Sequence, residues 1–403
     1  MTTVPPLRPE RDSHALGAVG VGVLTAAIAA VAVNQRPAIV VIGPLLDQVR
    51  ADTGLATTGL AVLTSLPVVC FGLVGLVGGR LVTRWGIRPA IVASLLVLAF
   101  GSVLRLLPGA TALLAGTAFA AAGIAVLNVG LPAAVKGYLP GRLGRTTGIY
   151  ATALGVAAAI GAAIAVPLSL WLGWRGALGV WAVPALLAAL WWWRLRLPET
   201  SAVVSVGSSS ARPFRALLRN TVAWQVTGFL ALQSATFYAV MAWLPSVYMD
   251  QGMDAARAGT MLGVLAFTGV PVALAVPPAA AHVRRPELIA LGLSVCSAVG
   301  LAGLVAAPAL PVLWAVLAGI GLGGNFPLAL TFVAMRARDA QGAAALSAMA
   351  QGIGYLVAAL GPVLVGVLFA TTGSWVAPIA LLVALNLALI PLGWGAARPL
   401  HAI

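Results

Sequence analysis

Apolar runs of about twenty residues recur along this chain from residue 16 to residue 395, and they decide its solvent before any motif is considered. A helix rising about 1.5 Å per residue needs ~20 apolar residues to cross the ~30 Å hydrocarbon core of a bilayer. Twelve segments meet that requirement: 16–46, 56–81, 88–107, 110–135, 146–170, 174–193, 221–249, 257–280, 286–307, 311–334, 343–369 and 376–395. Charged residues make up 8% of the 403, against roughly 25% in soluble domains, so water is not the expected surrounding. The fold class that follows is all-α integral membrane, with twelve transmembrane helices. The first run, Leu16 to Val33, exceeds the ~7 to 15 apolar residues of a signal peptide and is expected to stay as the first span.

A net charge of +14 would suggest nucleic acid as the partner of a soluble protein, but here the basic residues sit in short loops between spans. Eighteen of the 23 Lys and Arg residues fall in alternate loops on one side, while Arg50, Arg105, Arg175 and Arg257 fall on the other. Cytoplasmic loops carry that excess. The expectation is a multi-pass protein of the cytoplasmic (inner) membrane with both termini cytoplasmic, the lipid bilayer as its surroundings and no nucleic-acid partner. Lys136, Arg142 and Arg145 crowd one such loop, as topology determinants or as a gate. Cys70 and Cys296 lie in separate spans without metal-ligand spacing, so no metal and no cofactor are expected.

A serine-rich polar stretch from Pro198 to Ala211 interrupts the pattern near its middle. It implies an N-terminal six-helix bundle at 1–197, a cytoplasmic connector at 198–218 and a C-terminal six-helix bundle at 219–403. Sliding the second half back by 197 positions superposes Arg285-Pro286 on Arg88-Pro89, Asn325 on Asn128, and Gly352 on Gly155. Gln233 falls on Arg36 in the same register. Repeated halves with a substrate site between them are the architecture of alternating-access carriers.

Several segments carry a more specific likeness. Asn34-Gln35-Arg36-Pro37-Ala38, Asn128 with Pro132, Gln233 through Tyr238, Trp243-Leu244-Pro245, Asn325-Phe326-Pro327 and Gln351 through Tyr355 together resemble the cyanate permease and 2-nitroimidazole transporter family of the major facilitator superfamily. The resemblance implies two pseudo-symmetric bundles around a central cavity lined by spans one, four, seven and ten. It also implies a small anion or compact polar solute as substrate. The superfamily pattern between spans two and three is matched by Gly79 to Arg88, except that Thr83 stands where an acid is usual.

A charge at the bilayer centre costs from ~3 to more than ~10 kcal/mol, so an intramembrane cation needs a partner or a wet cavity. Arg36 has no acid on its own span before Asp47. Either it lines the cavity and holds an electronegative substrate group, or it snorkels or pairs with Asp47. Asn34 lies two residues away and shares its face only obliquely. Asn128 and Asn325 sit beside prolines in spans four and ten, as ligand contacts or as interhelical bonds. Gln233, Ser234 and Tyr238 share one region of span seven, available to ligand or to packing. Tyr150, Gln351 and Tyr355 are secondary cavity candidates, with packing as their other reading.

All nine acids and all three histidines fall at or beyond span ends. No catalytic residues are therefore identified, since no acid pair, nucleophile with base, or phosphate-cradling loop is present. A membrane enzyme would need such a cluster. A broad-specificity drug or metabolite exporter, the alternative carrier, is expected to show a larger aromatic cavity with an intramembrane acid. The reading is a secondary transporter, monomeric, for a small-molecule substrate.

Overall fold

The computed structural model describes residues 20–139, 142–195, 197, 217–337 and 340–398, and among these every regular element is helical. Eleven helical segments are long and apolar enough to cross a membrane. The twelfth crossing is assembled from short pieces. The helix Leu143–Gly179 runs on past the expected end of span five, and Gly173 turns the path with φ 67 and ψ 165. Side-chain-bearing residues rarely adopt that conformation, so a glycine is needed there. Ala182–Arg194, only 13 residues long, completes the sixth span.

Prolines set the other interruptions. Pro37 has no amide hydrogen to return to the carbonyl of Val33, and its ring crowds that carbonyl. The first span accordingly divides into Val21–Ala32, Pro37–Val40, a 3₁₀ turn at Gly43–Leu45, and Leu46–Thr53. Pro362 does the same to Ala358, dividing span eleven into Ala340–Ala358 and Leu360–Thr372. Two helices start on side-chain caps: Asn220 accepts the amides of Val222 and Ala223 at 2.9 and 3.2 Å, and Asp254 accepts that of Arg257 at 2.9 Å.

Lipid gives apolar helices little reason to associate, so close packing and buried polar bonds hold the bundles. Span four (Ala110–Tyr138) packs on spans two (Thr57–Trp85) and three (Ile87–Leu104). Span ten (Pro311–Arg336) packs on spans eight (Ala255–His282) and nine (Pro286–Ala306). The halves meet along two seams, span five with span eight and span two with span eleven. In the C-terminal half Asn386, on the last span (Val376–Ala396), is fully buried. It accepts a 2.6 Å bond from Ser297 Oγ and donates to Thr236 Oγ1 at 3.4 Å, joining spans seven, nine and twelve. Asn386→Leu is expected to lower stability by about 1 kcal/mol, the usual scale for interhelical bonds in membranes. Thermal unfolding of the purified protein reads this, and an unchanged midpoint would show the three-helix bond to be dispensable.

Charges separate the two ends. One end carries Asp47, Arg50, Asp52, Arg175, Asp250 and Asp254, and the other is rich in arginine. At the acid-bearing end the halves touch through backbone. Gly43 lies so close to span seven (Thr221–Asp250) that a Cβ would stand 2.5 Å from the Met241 carbonyl oxygen and 3.1 Å from that of Ala242. A cleft of about 290 Å³ is walled by both halves at this end, with Asp47, Arg50, Trp243, Ser246 and Asp250 among its lining.

At the arginine-rich end, Arg88 donates to the carbonyl of Trp193 at the end of span six, and Arg336 donates to that of Arg398 after span twelve. Both cations complement helix C-termini. Arg142 and Arg145 are exposed there, whereas the side chains of Thr83 and Lys136, and residues 198–216, lie outside the described residues. Arg105 departs from the sequence expectation. It is not a loop cation at the membrane surface but is fully buried after span three, because the small residues of span four leave room for its stem.

Candidate functional site

The break before Pro37 places Arg36 as the residue preceding a new helical turn, with its side chain half-buried between the bundles. Asp47 lies eleven residues on, roughly 16 Å along a helical path at 1.5 Å per residue. That is too far for an ion pair. Among the described residues the ion pairs are Arg175–Asp52 and Arg257–Asp254, so the Arg36 charge has no carboxylate partner.

What Arg36 meets instead is an aromatic wall. Its guanidinium carbon stands 5.6 Å from the centroid of the Phe237 ring. Phe237 contacts Tyr238 edge-on, with centroids 5.4 Å apart. Behind them Phe71 of span two, Tyr238 of span seven and Tyr355 of span eleven form a triangle with centroid separations of 6.0 to 6.3 Å. Four spans from the two halves thus contribute to one site. A cation–π contact of this kind is worth ~0.5 to 2 kcal/mol, well short of the cost of an unpaired charge in lipid. The remainder must come from water or from a bound electronegative group.

The other candidates divide. Asn34 is buried and donates to the Ala30 carbonyl at 2.7 Å, while its Oδ1 has no partner among the described residues. Gln233 is buried and donates to Ser234 Oγ at 2.5 Å, with its Oε1 unpartnered. Asn128 and Asn325, matched in sequence, differ in surroundings. Asn325 is fully buried with both amide atoms unpartnered among the described residues, whereas Asn128 is exposed. Asn128 lies nine residues beyond Phe119, half a turn out of phase on the same helix. Phe119 is an exposed apolar side chain paired with Phe100 at 5.2 Å, on a surface suited to lipid, so Asn128 presents to the opposite, inward side. Gln351 donates to Ser347 Oγ at 2.8 Å, and Tyr150 packs against the core of the N-terminal half. Neither is joined to the Arg36 wall by a contact described above.

Phe71 and Phe237 escape sequence reasoning, because a phenylalanine in an apolar helix reads as core. The signal that could have found Phe237 is its adjacency to Tyr238, on the helix facing Arg36.

Comparison with known proteins agrees with this architecture. The model of the Major Facilitator Superfamily matches residues 19–362. The chain is 36% identical over 379 residues to the 2-nitroimidazole transporter of Escherichia coli (strain K12), covering 93% of this chain and 95% of that one. It is 32% identical over 352 residues to the cyanate transport protein CynX of the same organism, covering 86% and 89%. A crystal structure of the D-xylose-proton symporter shares the fold with a TM-score of 0.72 at 14% identity, over 92% of this chain and 96% of that one. With eleven membrane-length apolar helices among the described residues and a polar site walled by both halves, the chain belongs to the Major Facilitator Superfamily and is a multi-pass membrane transporter of a small molecule.

Proposed function

We propose that this transporter moves a small anion or a compact, electronegative planar solute, of the cyanate or nitroimidazole kind, across the cytoplasmic membrane by alternating access. The observation that carries the reading is Arg36, a cation without a carboxylate partner among the described residues, set against Phe237 and the Phe71–Tyr238–Tyr355 triangle at the junction of the halves. A guanidinium offers fixed planar donors to an electronegative edge, and aromatic walls accept the flat face of a conjugated solute. Names of relatives support the same substrate class, since one is a 2-nitroimidazole transporter and another a cyanate transport protein.

In this reading the arginine-rich end is cytoplasmic, with both termini there, and the rigid units are 1–197 and 219–403, joined by 198–218. Asn34, Asn128, Gln233 and Asn325 supply amide groups around the cavity as the halves rock. The carrier works as a monomer. A thermal-shift screen of the purified protein against cyanate, other small anions and 2-nitroimidazole tests the substrate class, because a ligand preferring the folded state raises its stability. Concentration-dependent stabilisation is expected, and its absence with every probe would sink the reading.

No acid or histidine lies within a span interior to carry a coupling proton. Transport is therefore expected to move no protons beyond those that ride on the solute's own ionisation. pH recording in weakly buffered proteoliposomes checks this, and stoichiometric proton flux with a non-ionising solute would contradict it.

A further inference from the structure

Arg105 is the most thoroughly buried cation among the described residues, with no exposure at all, and the transport reading gives it no role. It follows span three and its stem passes Gly116 of span four, where an added Cβ would come within 2.9 Å of Arg105 Cγ. Its Nη1 donates at 2.7 Å to the carbonyl of Ala38 in the broken first span. Nε and Nη2 have no partner among the described residues, and neither ion pair involves this side chain.

That carbonyl is special. In a continuous α-helix the Ala38 oxygen would accept the amide of Ile42, but here Ile42 donates to Ile39 at 3.1 Å as the chain tightens toward the 3₁₀ turn. The break that presents Arg36 thus strands a carbonyl two residues later, and the guanidinium from span three takes it. A buried charge without a counter-ion is costly, and an apolar residue of similar volume is often as stable or more so. Stability alone therefore does not account for an arginine here.

We propose that Arg105 is a positioning residue: by holding the Ala38 carbonyl it fixes the broken conformation of the first span, and so the placement of Arg36 toward its anionic or electronegative substrate. This rests on the reading of Arg36 as the substrate-binding charge. Arg105 itself does not touch the solute. A cation that can reach the carbonyl is required, so lysine substitutes in part and methionine does not.

The test compares full-length wild type, Arg105→Met and Arg105→Lys by two readouts. The first is ligand-free hydrogen exchange of the segment 33–42, and the second is binding of cyanate, with 2-nitroimidazole run in parallel, followed by thermal shift. The expected result for Arg105→Met is a melting midpoint no lower than wild type, at least tenfold faster exchange in 33–42, and at least tenfold weaker cyanate binding. Arg105→Lys is expected to restore both within about threefold. A merely structural role would lower the melting midpoint of Arg105→Met, with faster exchange throughout the N-terminal bundle, and that outcome overturns the inference. So does unaltered exchange in 33–42, or faster exchange there with unchanged cyanate binding. Absence of cyanate and 2-nitroimidazole binding in wild type would instead refute the substrate reading, while the exchange data would still decide whether Arg105 holds the break.

Discussion

Replacing Arg36 by alanine is expected to weaken cyanate binding by about 100-fold while leaving the protein folded. The figure follows from two charge-assisted hydrogen bonds of ~1.5 kcal/mol each, with 1.4 kcal/mol worth a factor of ten. Arg36 stands over the Phe237 ring and makes no ion pair among the described residues, so little native structure depends on it. Removing an uncompensated charge is expected to hold or raise the melting midpoint. Arg36→Lys keeps the charge but loses the planar fork, and an intermediate loss of about tenfold is expected. Thermal-shift titration of the three proteins separates these outcomes. Equal cyanate binding by wild type and Arg36→Ala would place the binding charge elsewhere.

Gly43→Ala is expected to produce the opposite division, with cyanate binding kept and transport reduced tenfold or more. The halves touch at the acid-bearing end by setting Gly43 on the carbonyls of Met241 and Ala242, and a methyl group at 2.5 Å from an oxygen cannot be accommodated without parting them. Packed interfaces switch between discrete arrangements and do not deform continuously. A carrier that cannot complete closure at one end therefore stalls in its cycle even though Arg36 and its aromatic wall remain. Measuring cyanate affinity and counterflow side by side checks this. Wild-type counterflow in Gly43→Ala would show that the contact plays no part in the cycle.

Much of the fold was legible because the bilayer sets one length for every span. The expected segments 221–249, 286–307 and 376–395 match the helices Thr221–Asp250, Pro286–Ala306 and Val376–Ala396 closely. Arg36 stood out because its charge has no counterpart in sequence, whereas span one was read as one unbroken segment, 16–46, although Pro37 lacks the amide hydrogen that a continuous helix needs there. Hydropathy could not show that Gly173 redirects the chain, since a glycine among apolar residues leaves the average unchanged.

Within the site, sequence symmetry suggested equivalent roles for Asn128 and Asn325, but one is exposed and the other sealed between helices. Register matching gives position along a helix, not which neighbour covers it. Arg105 was read as a surface cation because it stands near a span end, and only tertiary packing reveals the Ala38 carbonyl that it serves. Asn386 belonged to no motif, and its three-helix bond depends on Ser297 and Thr236 arriving from distant segments.

The measurement closest to the central claim is counterflow in proteoliposomes carrying wild type or Arg36→Ala, preloaded with unlabelled cyanate and given labelled cyanate outside, with 2-nitroimidazole as a second probe. Counterflow needs only a binding site that alternates between the two faces, so neither a coupling ion nor a net gradient enters. The expected result is transient accumulation of label in wild-type vesicles with at least one probe, abolished by Arg36→Ala. No accumulation with either probe in wild type, or equal accumulation in the variant, would contradict it.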